Sequence, residues 1–76
     1  MSNEVEVFDR ALASLERLPC PGTLERAIGH LVRGGVELAR VRGWAQAKAE
    51  AYGIWPYVRP DFERMMSGAA NLRAEM

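Results

Sequence analysis

The sequence predicts an all-α protein forming a single helical domain over residues 1–76. Three observations carry this. Apolar residues recur at spacings of three and four over most of the chain, the period of a helix with one buried face. No segment alternates apolar and polar residues as a half-buried strand does. Proline and glycine cluster at residues 19–22 and 53–60, where they punctuate the pattern.

The elements read in order as a short–long–short arrangement at about 4–18, 24–52 and 61–75. Asn3 followed by Glu6 has the spacing of a capping box. Val5, Phe8, Leu12 and Leu15 then share one stripe, with Ala11 and Leu18 beside it. Pro19-Cys20-Pro21-Gly22 ends this helix, because proline lacks an amide donor and clashes with the preceding turn.

Thr23 has the chemistry of an N-cap for the central helix. Leu24, Ile28, Leu31, Gly35, Leu38, Arg42, Ala45, Ala49 and Tyr52 alternate at four and three along one face. Gly53 supplies a stop, and Pro56 and Pro60 oppose continuation. Such a helix would be roughly 44 Å long, against a diameter of roughly 30 Å for a domain of this length. Either the chain breaks at Gly34-Gly35 or another molecule buries the surplus face. Each short helix covers only part of the long one, so the expected state is a homo-oligomer. Asp61 heads the last helix, with Glu63 where the macrodipole favours an anion. Its stripe is Phe62, Met65, Ala69, Leu72 and Met76.

Composition excludes several classes. No run of 18 apolar residues is present, so no membrane-spanning helix is expected. The acidic start, Met-Ser-Asn-Glu-Val-Glu-Val, lacks the apolar core of a signal peptide, and a cytoplasmic protein is expected. One cysteine, Cys20, cannot form an internal disulfide or a four-ligand zinc framework. Net charge is zero but unevenly spread: −3 over residues 1–25, +4 over 26–48 and −1 beyond. That excess is small for a nonspecific duplex-DNA binder.

Two further faces of the central helix bear on function. Gly35, Ala39, Gly43, Ala47 and Ala51 form a ladder of small residues, which lets another helix backbone approach closely. Arg26, His30, Arg33, Glu37, Arg40, Trp44 and Lys48 form a basic stripe that includes an indole. Arginine grips phosphates bidentately and an indole stacks on a base. His30, Arg33, Arg40 and Trp44 are therefore the candidate ligand-binding residues. Gly35, Ala39, Gly43 and Ala47 are candidates for a partner interface. Trp55 and Tyr57 join them from an aromatic knuckle, residues 52–62, that holds four aromatics in eleven residues. No catalytic constellation, metal-ligand spacing or cofactor motif is present, so a non-enzymatic protein is expected.

Residues 21–40 resemble the helical hairpin of phage cyclic-oligonucleotide sponges. The matching positions are Pro21, Leu24, Leu31, Gly34, Leu38 and Arg40, in a Leu-x-x-Gly-x-x-x-Leu-x-Arg spacing. Val32 and Thr23 depart from it, where a polar and an aromatic residue are expected. The resemblance implies an oligomeric anti-defence protein that sequesters a cyclic nucleotide messenger without chemistry, with Arg40 on the ligand. Two alternatives remain open. One is a protein-directed inhibitor or adaptor, of the anti-CRISPR or host-takeover kind, using the knuckle or the small-residue face. The other is a helix-turn-helix DNA binder around Ala49 and Gly53-Ile54, opposed by Pro56 and Pro60 where a recognition helix would run.

Overall fold

In the computed structural model, which describes residues 4–74, the chain folds into helices α1 (Glu4–Arg17), α2 (Pro21–Arg33), α3 (Leu38–Ala51) and α5 (Phe62–Ala74). A single-turn helix α4 (Trp55–Val58) and a 3₁₀ turn (Arg59–Asp61) join α3 to α5. No strand occurs among the described residues. The first and last helices lie where the periodicity puts them. Asn3, of the expected capping box, and Met76, of the last apolar stripe, lie outside the described residues.

The expected central helix over 24–52 is two helices, α2 and α3, folded back on each other at Gly34-Gly35. Gly35 has φ +88°, a left-handed conformation that only glycine adopts cheaply. Its N–H donates to the Val32 carbonyl at 3.1 Å and the Val36 N–H donates to the Leu31 carbonyl at 3.1 Å. These bonds close the last turn of α2 and satisfy carbonyls that a helix end otherwise leaves open. Val36, the next residue, is buried with Leu31, which adds the apolar contact typical of this cap. The end of α3 repeats the pattern. Gly53 has φ +73°, its N–H donates to Glu50, and Ile54 N–H donates to Ala49 at 2.9 Å. Ile54 is buried there as Val36 is at the first turn.

Two boundaries also differ from expectation. The second helix begins at Pro21, with Cys20 in the N-cap position and Thr23 already in the first turn. Proline suits a first helical position because it has no N–H to orphan and its φ is preset. Asp61 closes the 3₁₀ turn, and its carboxylate accepts from Arg64 Nε at 2.8 Å.

α2 is the central element. It packs against α1, α3 and α5, and buries Leu24, Ala27, Ile28, Leu31 and Val32. Ala11 and Leu15 of α1, Val41, Ala45 and Ala49 of α3, and Phe62, Met65, Met66 and Ala69 of α5 complete the core. α5 runs alongside α2, with Arg64 reaching Glu25 and Leu72 lying against Gly29. α1 runs alongside α3, with Glu4 paired to Arg40 and Phe8 against Trp44. The radius of gyration is 11.5 Å, the value expected of a single compact domain of this length. The long-helix surplus that suggested an oligomer is therefore absorbed by the fold-back. Val5 and Leu18, expected on the α1 stripe, are instead 75% and 62% exposed.

A basic cleft between the first two helices

The four expected ligand residues fall into two places. His30 and Arg33 line a cleft between α1 and α2 of about 550 Å³, together with Arg26 and Thr23 of α2 and Ser14, Arg17 and Leu18 of α1. The sequence spacing explains the α2 contribution, because residues 26, 30 and 33 lie on one helix face. Ala11 and Ala27 also line it, and their small side chains leave the space open.

Arg40 and Trp44 lie elsewhere, around Phe8. The Arg40 guanidinium sits 5.4 Å from the Phe8 ring centroid and pairs with Glu4. The Trp44 ring is 6.0 Å from Phe8 at 60°. This cation, two rings and carboxylate join α1 to α3, and Trp44 is half-buried against the core.

The charges are sorted. Arg10 pairs with Glu6, Arg40 with Glu4, Arg42 with Glu63, and Arg64 with Glu25 and Asp61. Arg17, Arg26 and Arg33 share the cleft with no acidic residue in its lining. Three cations, two hydroxyls and an imidazole make a wall rich in hydrogen-bond donors, the chemistry that holds an anion. His30 adds a specific signal. Its Nε2 is buried without a hydrogen-bond partner, a state that costs desolvation free energy. Arg26 is recoverable from the sequence by helical spacing. Arg17 and Ser14 are not, because they enter the cleft only once α1 is docked on α2.

Cys20 flanks this region. Its sulfur lies 3.1 Å from the Thr23 hydroxyl, and that hydrogen bond, with backbone bonds to Thr23 and Gly22 and the charge of Arg26, lowers the thiol pKa from its ordinary value.

The candidate interface residues also separate. Ala39, Gly43 and Ala47 are exposed on the outward side of α3, opposite its buried Val41, Ala45 and Ala49. Gly35 is in the turn before that helix and does not extend the ladder. In the knuckle, Trp55 is half-buried edge-on to Phe62 at 5.2 Å, so it pins α4 onto α5. Tyr57 is 73% exposed. The segment after Gly53 is a one-turn helix and a 3₁₀ turn rather than a recognition helix. Among the described residues, no helix is long and apolar enough to cross a membrane. No protein-family model, curated protein or solved structure matches this chain.

Proposed function

We propose that this chain is a small non-enzymatic binding protein that sequesters an anionic ligand in the α1–α2 cleft. The observation that carries the reading is the gathering of Arg17, Arg26 and Arg33 around His30 with no carboxylate in the lining. In its most concrete form the ligand is a cyclic nucleotide messenger and the protein a cytoplasmic, oligomeric phage anti-defence sponge. The α2–α3 hairpin and the resemblance of residues 21–40 favour that form. Arg33 and His30 then act on the ligand, whereas Arg40 and Trp44 hold α1 to α3.

Paired variants test this. Arg33→Ala should weaken binding of a cyclic nucleotide by about tenfold or more, since a hydrogen bond to a charged group contributes roughly 1.5–3 kcal/mol. Arg40→Ala should bind normally and lose a little stability instead. Isothermal titration with both proteins decides the matter: loss of binding in Arg40→Ala with retention in Arg33→Ala would move the site to the Phe8–Trp44 face.

A second reading rests on Tyr57. An exposed tyrosine beside Pro56 and Arg59 has the composition of a protein-binding hot spot. In that reading the chain is a protein-directed inhibitor or adaptor. A partner that Tyr57→Ala fails to bind and Arg33→Ala still binds would favour it.

A further inference from the structure

We propose that the α1–α2 cleft takes a ligand bearing two or more phosphate groups and grips it through those phosphates without reading its bases. This inference rests on the anion-sequestering reading above and specifies its chemistry.

The first support is the spread of the cations. Arg26 and Arg33 are seven residues apart on α2, about 10 Å along the axis at roughly 1.5 Å per residue. Arg17 reaches the same cleft from α1. Each guanidinium is a planar fork that matches one phosphate. The open cleft of about 550 Å³ has room for a ligand larger than a single phosphate. One orthophosphate would leave much of this wall, and at least one arginine, without a counter-charge.

The second support is what the lining lacks. No Phe, Tyr or Trp borders the cleft. Phe8 and Trp44 face each other, and Trp55 packs on Phe62. The broad aromatic platform that base stacking favours is therefore not offered there. No Asn, Gln, Asp or Glu lines the cleft either, so the side chains that read adenine bidentately or accept from cytosine are missing. Arginine is the residue that reads guanine, and in this proposal the phosphates occupy the arginines instead.

The third support is His30. It lies one turn from both Arg26 and Arg33, and its buried Nε2 has no partner. If the imidazole turns toward the cleft as a ligand enters, that nitrogen would become available to a phosphate oxygen held between the two arginines. Ser14 and Thr23 supply hydroxyls along the same wall.

The test is isothermal titration of the full chain with orthophosphate, inorganic tripolyphosphate, and cyclic dinucleotides carrying adenine, guanine or uracil. Tripolyphosphate should bind about tenfold or more tightly than orthophosphate, the gain expected from one further charge-assisted contact. The cyclic dinucleotides should agree with one another within about threefold, less than one base-specific contact contributes. Arg26→Ala and Arg33→Ala should each lower the slope of log affinity against log salt by about one. Circular dichroism of the variants establishes that they fold. Orthophosphate binding as tightly as tripolyphosphate would overturn the multi-phosphate requirement and leave anion sequestration standing. A preference of more than about tenfold for one base would overturn base-blind recognition and likewise leave sequestration standing. Failure of every one of these anions to bind would overturn both readings.

Discussion

Two adjacent glycines at the α2–α3 turn have different jobs, and substitutions separate them. Gly35 is needed for its backbone, at φ +88°, and a side chain there meets open space. Gly34 has an ordinary helical φ of −76°, but a Cβ on it would lie 2.7 Å from Val7 Cγ1 of α1. Gly35→Ala should therefore cost about 1–2 kcal/mol, the strain of a left-handed L-residue. Gly34→Ala should cost at least as much, because the Cβ would also lie 2.9 Å from Val7 Cγ2 and a β-branched side chain on a helix has one strongly favoured rotamer, so α1 itself must shift. Urea denaturation of both variants checks the order. A Gly35→Ala protein as stable as the parent would mean that the turn does not need its left-handed residue.

At the scale of elements, α5 is tied down at its start by ion pairs to its neighbours. Arg42 donates two parallel hydrogen bonds to Glu63, at 2.8 and 2.9 Å. Arg64 bonds Asp61 and reaches Glu25 at 3.3 Å. The hydrogen bond from Arg42 holds the Glu63 carboxyl below its ordinary range, and that from Arg64 does the same for Asp61. A depressed carboxylate pKa stabilises the fold above the unfolded value, near 4 for these groups, and that stabilisation is lost as pH falls through the native values. Stability should thus be level from pH 7 to about 5 as far as these groups act, and decline below about 4. Glu63→Gln should make that acid decline shallower, measured as the urea midpoint from pH 6 to 3. An unchanged decline would show that the Arg42–Glu63 fork is not coupled to folding. Both pairs are exposed, so solvent screens them and the effect belongs at the small end of ion-pair contributions.

At the scale of the whole molecule, the core is closed by one chain, and association is a matter of surfaces rather than of an unfinished fold. The outward face of α3 carries Ala39, Gly43 and Ala47, the small-residue face expected from the sequence to meet another copy. Gly43 has open space around it, so Gly43→Arg should leave thermal stability of the protomer nearly unchanged while blocking close approach. Sedimentation velocity should then show the parent chain associated and the variant as a single protomer. A parent that sediments as a single protomer at micromolar concentration would end this expectation without touching the cleft.

The sequence by itself determined the local parts: the helical period, the end of α1 before Pro19, the stop at Gly53, and the shared face of Arg26, His30 and Arg33. These follow from interactions within a few residues, which spacing displays directly. It also held the signal for the α2–α3 break, a glycine followed by an apolar residue, repeated as Gly35-Val36 and Gly53-Ile54. At the first of these the unbroken apolar stripe competed with it, and spacing alone left a straight helix and a break at Gly34-Gly35 both open. Tertiary structure decided the rest. Folding α2 back on α3 buries Val36, Val41 and Leu31 in one core, a gain set by contacts between residues on different helices. The same packing brought Arg17 and Ser14 to the cleft and took Arg40 and Trp44 to Phe8. Helical spacing fixes which residues share a face, but only packing fixes what that face meets.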